Sequence, residues 1–478
     1  MKTQVQTDKS LSTAVAQKEY FLSKPRLDIF IVIAMSVLLF CGASWQIFNI
    51  FTDAAKYQCY ALAFWRGVSA LRQLPVEQCA FITIYHNPAP LQDDIVNMMQ
   101  HMGFPAFLVR FVATQNGNAR FEALPHEYPW PTLIAFSLPL LVPAYWYQVA
   151  FAVLMALVAV FIYYLLVYHR SRRAAIAYAF YLVVGAWGTA EGRFDLIPSA
   201  LTLLALICAV RKRWHWAFVY LALGTMFKFY PAILLLPFFL AQQKESRESR
   251  FSWRRLLPVG TFVGVCAAIM VISLLFCVEG TLEPFGYFGQ RPIQVESASA
   301  TLLWLFSFVG FKLKAVFSFG SLNVLSTLSP VVSVAGTLLM LLGLAYTYWL
   351  QWRGKLDLAT SCLLTLLIVI FTGKVFSPQY LIWVVPFVAY VGQDRRIWLL
   401  SWGAIGALTT WIYPYIYNMT PKLVNVPSLP LFFPVVALRN TLLLLFIIAL
   451  LYYCSRRRFE RDALFSKERI VVHEGKSR

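Results

Sequence analysis

The sequence predicts an all-α polytopic membrane protein with about twelve transmembrane helices, extended loops on one side and interfacial helices. Composition is the first observation behind this. Of 478 residues, 59% are hydrophobic and only 13% charged, with a mean hydropathy of +0.64, whereas a soluble domain rarely exceeds about half apolar residues. The second is periodicity at a larger scale: apolar runs of roughly 17–25 residues recur along the chain, the length a helix needs to cross the hydrocarbon core. The third is where positive charge sits. Basic runs fall at Lys18–Arg26, Arg170–Arg173, Arg211–Arg213, Lys244–Arg255, Arg353–Lys355, Arg395–Arg396 and Arg456–Arg469, at every second gap between apolar segments. Lys and Arg stay cytoplasmic during insertion, so this alternation puts both termini inside and the intervening loops outside.

The elements follow in order. Residues 1–27 read as a polar cytoplasmic tail and 28–50 as the first span. That span is too long for the apolar region of a cleavable signal and lacks a small-residue cleavage site. An outer loop of about 51–144 holds two amphipathic stretches, Ala61–Leu74 and Asp93–Val112, suited to the membrane surface. Pro131–Leu141 is apolar but too short to span. Reading it as an interfacial or re-entrant helix keeps every later basic run on the inner side. Spans follow near 145–168, 174–190, 194–210, 214–228, 230–242, 256–277, 329–350, 357–373, 379–392, 397–414 and 432–453. Between them lie outer loops 279–328, with a semi-apolar, helix-like part at Thr301–Phe319, and 415–431. A basic cytoplasmic tail occupies 454–478. Residues 28–453 thus form one membrane-embedded domain.

The net charge of +19 would point to nucleic acid in a soluble chain. Here positive-inside bias and anionic head groups account for it, and no basic stripe interleaves with exposed aromatics. No Cys or His pattern has zinc spacing, which leaves any metal requirement open and predicts no cofactor. Six of the eight cysteines lie in or beside apolar helices. Cys59 and Cys79 share the first loop, where a bridge and two free thiols are both open.

Several polar groups need a reason beyond solvation. Asp53 follows the first span among aromatics. Partly desolvated, it would have a raised pKa and act as a general base. His126-Glu127-Tyr128-Pro129-Trp130-Pro131 is an extended turn that presents His126 and Glu127, the second candidate base; a rigid anchor in the aromatic belt is the plain alternative. Glu191-Gly192-Arg193-Phe194-Asp195 is a tight turn in which Glu191 and Arg193 can simply pair. Lys228-Phe229-Tyr230-Pro231, Arg291-Pro292-Ile293-Gln294-Val295-Glu296-Ser297 and Lys374-Val375-Phe376-Ser377-Pro378-Gln379-Tyr380 put cations on the side where cations are scarce. Their simplest joint purpose is to hold a phosphate, Arg by bidentate bonds and Lys as a point charge. A phosphate bound at a membrane surface suggests a lipid-linked one.

Together these segments resemble the GT-C fold glycosyltransferases, most of all glycosyltransferase family 87, the polyprenyl-phosphate-mannose-dependent α-mannosyltransferases. The likeness runs from about residue 50 to 390. It departs at Glu191–Asp195, where relatives tend to carry Gln and Asn, and that departure bears on which sugar is recognised. The resemblance implies a GT-C-like bundle. It also implies a polyprenyl-phosphate sugar donor, a lipid or glycan acceptor, inversion at the anomeric carbon and an extracytoplasmic active site in the plasma (inner) membrane. Asp53 would be the base, with Glu127 in reserve. The candidate binding set is His126, Tyr128, Arg193, Asp195, Lys228, Tyr230, Arg291, Gln294, Glu296, Lys374, Gln379 and Tyr380. The absence of a Gly-rich nucleotide loop agrees with a lipid-phosphate donor. Two other classes compete. A polysaccharide polymerase or ligase would place its large loop late in the chain. A transporter or flippase would carry mid-membrane charge and related halves.

Overall fold

The protein is described by a computed structural model over residues 25–45, 47–83, 92–246 and 252–474, with side chains to 455 except at 288. The N-terminal tail to residue 24, the first part of the Lys18–Arg26 run, the centre of the Lys244–Arg255 run and the side chains of Arg456–Arg469 lie outside the described residues. It is an all-α polytopic membrane protein with one small sheet. Among the described residues, five helices are long and apolar enough to cross a membrane: Pro25–Ala43, Ala144–His169, Trp253–Phe276, Ser329–Trp352 and Phe432–Ser455. Shorter apolar helices include Leu196–Val210, Leu358–Thr372 and Tyr380–Gly392. Each sequence-predicted span after the first loop coincides with a helix to within a few residues. The last helix continues from Phe432 to Glu474, through the segment read as a tail.

The chain forms two compact units. The first holds the segments to Ala232, Leu257–Arg291 and Pro378–Tyr415. In it Leu196–Val210 packs on Trp214–Phe227, which packs on Leu257–Phe276, while Arg172–Ala186 lies against both Tyr380–Gly392 and Arg396–Thr410. A Cβ at Gly406 would stand 3.0 Å from the Gly185 Cα, so small residues let Arg172–Ala186 and Arg396–Thr410 touch backbone to backbone. One end of the unit is closed by a buried pair: Arg172 Nε donates to Asp28 at 2.9 Å and the Tyr163 hydroxyl donates to the same carboxylate at 3.0 Å. An acid inside the first span is tolerated because it has these partners.

Inside the first loop, Asp53–Arg66 and Val76–Thr83 are helices joined by a Cys59–Cys79 disulfide, which resolves the alternatives the sequence left open. Gln92–His101 and Ala106–Thr114 form the second amphipathic stretch. Thr132–Ser137 is a short helix followed by a 3-10 turn to Leu141.

The second unit contains Leu235–Glu245, Ala298–Ser307, Ser329–Trp352, Leu358–Thr372 and the last helix. It also corrects the reading of 279–328. Thr301–Phe319 is not one helix. The helix Ala298–Ser307 is followed by an antiparallel hairpin of β2 (Lys314–Ser318) and β3 (Ser321–Leu325), with β1 (Ile293–Gln294) on the other side of β3. Phe319 and Gly320 turn the hairpin, both with positive φ, as a tight two-residue loop of this kind requires. The other half of the correction lies in the first unit, where Val278–Gln290 is helical rather than loop.

Candidate functional site

Asp53 opens the helix Asp53–Arg66. Thr52 caps that helix, its hydroxyl accepting from the Ala55 N–H at 3.2 Å, and an acid in the first turn suits the positive end of the helix dipole. The disulfide fixes the helix laterally. Gln78 adds bonds of 3.0 Å to the Ala55 carbonyl and to Gln58 Oε1. The residue read as a base therefore stands on a rigid element.

The Glu191–Asp195 turn meets it. Phe194 is buried against the rings of Tyr57, Tyr128 and Phe136, at 5.6, 5.0 and 5.4 Å. That cluster anchors the turn, so that Arg193 Nη2 lies 2.5 Å from Asp53 Oδ2. Lys56 stands 4.0 Å from Asp53 and 4.0 Å from Glu127. Lys228, extended at the end of the helix Trp214–Phe227, reaches Asp195 Oδ1 at 2.6 Å. The same oxygen accepts from Trp383 Nε1 at 2.5 Å. The ammonium also lies 5.0 Å over the Phe194 ring and 5.2 Å over Trp383, which lessens the cost of burying it. Tyr230 and Tyr380 both stack on Trp383, at 4.2 and 3.9 Å. Gln379 occupies the N-cap position of the helix Tyr380–Gly392. Arg291 ends the helix Val278–Gln290, its guanidinium 5.9 Å from the Tyr287 ring and its Nε without a hydrogen bond. His126 pairs with Glu283.

Eleven of the fourteen residues singled out from sequence, from Asp53 to Tyr380, thus share the first unit. Gln294, Glu296 and Lys374 belong to the second. There the Gln294 N–H donates to the Lys374 carbonyl at 2.9 Å, and Gln294 Oε1 is buried without a partner. Glu296 is held from within: Arg439 Nη1 donates to Oε2 at 3.0 Å and the Tyr417 hydroxyl to Oε1 at 3.0 Å. Arg439 and Asn440 also bond its carbonyl.

The electrostatics of the first unit overturn one expectation. Burial alone would raise the Asp53 carboxyl, but Arg193, Lys56 and Lys228 outweigh it and hold Asp53 below the ordinary carboxylate value. The expected Glu191–Arg193 pair does not form. Arg193 goes to Asp53, while Glu191 is buried with both carboxylate oxygens unpartnered. Burial pushes its pKa up to about 8, so it is mostly neutral at pH 7. Sequence reasoning missed Glu283, Trp383 and Lys56. Trp383 sits three residues beyond Tyr380, and its spacing on that helix is the signal that would have found it.

Four cations, Lys56, Arg193, Lys228 and Arg291, therefore stand with three carboxylates, Asp53, Glu127 and Asp195, around one aromatic-lined end of the first unit. Such a set can hold a phosphate through the cations while an ionised carboxylate takes a proton. No three His, Cys, Asp or Glu side chains converge as metal ligands among the described residues.

Comparison with known proteins places these features in context. A family model described as GPI transamidase subunit PIG-U matches residues 189–290, which takes in the Glu191–Asp195 turn, Lys228 and the helix bearing Glu283. GPI mannosyltransferase 1 of Trypanosoma brucei brucei (strain 927/4 GUTat10.1) is 24% identical over 214 residues, covering 42% of this chain and 46% of that protein. The chain thus spans less than half of the length of the curated relative it matches.

Proposed function

We propose that this protein is a GT-C-type membrane glycosyltransferase that moves a hexose, with mannose favoured, from a polyprenyl-phosphate donor to a lipid or glycan acceptor, with inversion. The observation that carries the reading is the Asp53 carboxylate held within 2.5 Å of Arg193, on a unit that also presents Lys228 and Arg291. Inverting transfer needs one base for the acceptor hydroxyl and cations for the leaving phosphate, whose charge grows as the glycosidic bond breaks. Asp53 supplies the first. Its low pKa keeps it ionised, and it takes the proton late, once the hydroxyl oxygen has begun to bond the anomeric carbon. Lys228, Arg193 and Arg291 supply the second. Arg193 can exchange the Asp53 carboxylate for the donor phosphate, which frees the base only when donor is present.

The proposed orientation puts this end of the unit on the extracytoplasmic face, with the Asp28–Arg172 end and the basic runs in the cytoplasm. The mannosyltransferase likeness supports the sugar. A dolichol-type phosphate serves the same chemistry as any other polyprenyl phosphate. A second reading, a non-catalytic subunit of a lipid-glycan-processing assembly, draws on the PIG-U match.

Transfer from radiolabelled polyprenyl-phosphate-mannose to membrane lipids, measured for wild type and Asp53→Asn, separates the two. The enzyme reading expects product with wild type and at least a hundredfold less with the folded variant. Undiminished transfer by the variant removes Asp53 from the chemistry and leaves Glu127 as the base. Absence of transfer by both, with every lipid-phosphate hexose tried, favours the subunit reading.

A further inference from the structure

His126 and Glu283 lie far apart in sequence yet meet in the first unit. Neither is needed for the proton or phosphate steps above, on whose reading the following rests. The helix Val278–Gln290 meets the irregular stretch 123–128 that leads into the Tyr128-Pro129 turn at successive points. Gly280 faces Leu124: a Cβ there would come within 2.8 Å of the Leu124 side chain, so only glycine allows this approach. One turn on, Glu283 meets His126. A further turn on, Tyr287 lies within the electrostatic reach of Glu127. Positions 280, 283 and 287 fall on one helical face, and the helix ends at Arg291. Glu283 is 8% and His126 21% exposed, so water competes little for the contact. On the loop side, Glu127 faces Lys56, which faces Asp53.

We propose that Glu283 is a positioning residue: by holding charged His126 it locks the 124–128 stretch onto the helix that carries Arg291, and so keeps Glu127 and Lys56 in place beside Asp53. The groups around the imidazole are all accounted for. Glu283 and Glu279 face it from the helix, Glu127 from its own segment, and the Tyr60 ring stands 6.1 Å away from the helix Asp53–Arg66. Burial alone would lower the His126 pKa, but these three carboxylates, Glu283 above all, outweigh it and hold it above the ordinary imidazole value. The tie therefore weakens as pH rises through that raised value. The device has a direction: acid strengthens the clamp, base loosens it. Loss of the charge on Glu283 leaves a bond between neutral amide and imidazole that can still form, but the proton on His126 is then held less firmly.

The test is the pH profile of kcat/KM for transfer between pH 5.5 and 9.5, for wild type, Glu283→Gln and Glu283→Asp, together with deuterium uptake of the 122–131 segment at the same pH values, each value normalised to the intrinsic, base-catalysed exchange rate at that pH. The proposal expects the alkaline limb of Glu283→Gln to move down by about one pH unit or more, with kcat/KM at pH 6 within about threefold of wild type. Glu283→Asp should keep much of the wild-type limb. Uptake at 122–131 should rise with pH in wild type, and do so earlier in the Gln variant. A profile for Glu283→Gln that superimposes on wild type, or that drops by one factor at every pH, overturns it. Uptake in wild type that does not change with pH overturns it as well, and this arm needs no substrate. If no donor gives transfer, the enzyme reading fails, and the exchange measurement alone decides whether the clamp exists. Should Glu283→Gln not fold, wild-type uptake and the Asp variant carry the test.

Discussion

Replacing Glu296 by Gln would strand the Arg439 guanidinium. Arg439 is 0% and Glu296 1% exposed, their charge-assisted bond is 3.0 Å long, and the guanidinium also lies 4.0 Å over the Phe376 ring. A buried ion pair adds little when weighed against an apolar pair of similar shape, but removing one partner leaves an uncompensated charge and costs about 3–5 kcal/mol. Gln keeps an acceptor for the Tyr417 hydroxyl, so the lost charge dominates the effect. Purified protein, unfolded in denaturing detergent mixtures with tryptophan emission as the signal, should show Glu296→Gln destabilised by that amount. The double variant Glu296→Leu with Arg439→Met should recover most of the loss, giving a coupling of about 2 kcal/mol or more. The opposite pattern, unfolding like wild type with transfer abolished, would refute this reasoning and return Glu296 to the substrate, where the sequence had put it.

Three other outcomes follow from the same physics. Asp195→Asn leaves Lys228 inside without its carboxylate and should lose about 3 kcal/mol in the same assay; adding Lys228→Met should restore stability but not transfer. Glu191→Gln should stabilise the protein only at higher pH. Because the folded-state pKa of Glu191 is raised from 4.5 to about 8, its contribution is fully present below pH 4.5 and is lost as pH rises through about 8. At about 1.4 kcal/mol per pH unit this amounts to on the order of 5 kcal/mol at most. Melting curves at pH 5 and pH 9 read the difference, and equal shifts at both would mean that Glu191 is not a buried neutral acid. Removing the bridge with Cys59→Ala and Cys79→Ala frees a loop with a sequence separation of 20, worth about 3 kcal/mol. Because Asp53 sits on the bridged helix, transfer should fall more steeply with temperature than in wild type.

Apolar length was enough to find the helices because it acts locally: hydrocarbon thickness sets it. Charges inside the spans were not legible. Asp28 and Arg439 sit in apolar runs, and only their partners, Arg172 and Glu296, explain them. Nothing in sequence joins residues 144 and 143 positions apart. The Asp53 pKa was misjudged for the same reason: its burial could be argued from aromatic neighbours, but Arg193 could not. The hairpin at Lys314–Leu325 did carry a signal. Phe319-Gly320 is a turn flanked by alternating residues, and a helical reading ignored that period. The helix Val278–Gln290 also carried one, in Glu279, Glu283 and Tyr287 at four-residue spacing, obscured by Pro284 and three glycines. The residues of the proposed site could be singled out because they cluster at chain reversals, where a membrane protein has few reasons to place charge.

In the proposed reaction a lipid phosphate carries the sugar. Purified protein in liposomes, supplied in turn with polyprenyl-phosphate-mannose, polyprenyl-diphosphate-linked sugar and a nucleotide-activated mannose, tests it most directly. The account predicts acceptor-dependent release of polyprenyl phosphate from the first donor only, with inverted anomeric configuration in the product. Transfer from the nucleotide sugar, or retention of configuration, would contradict it.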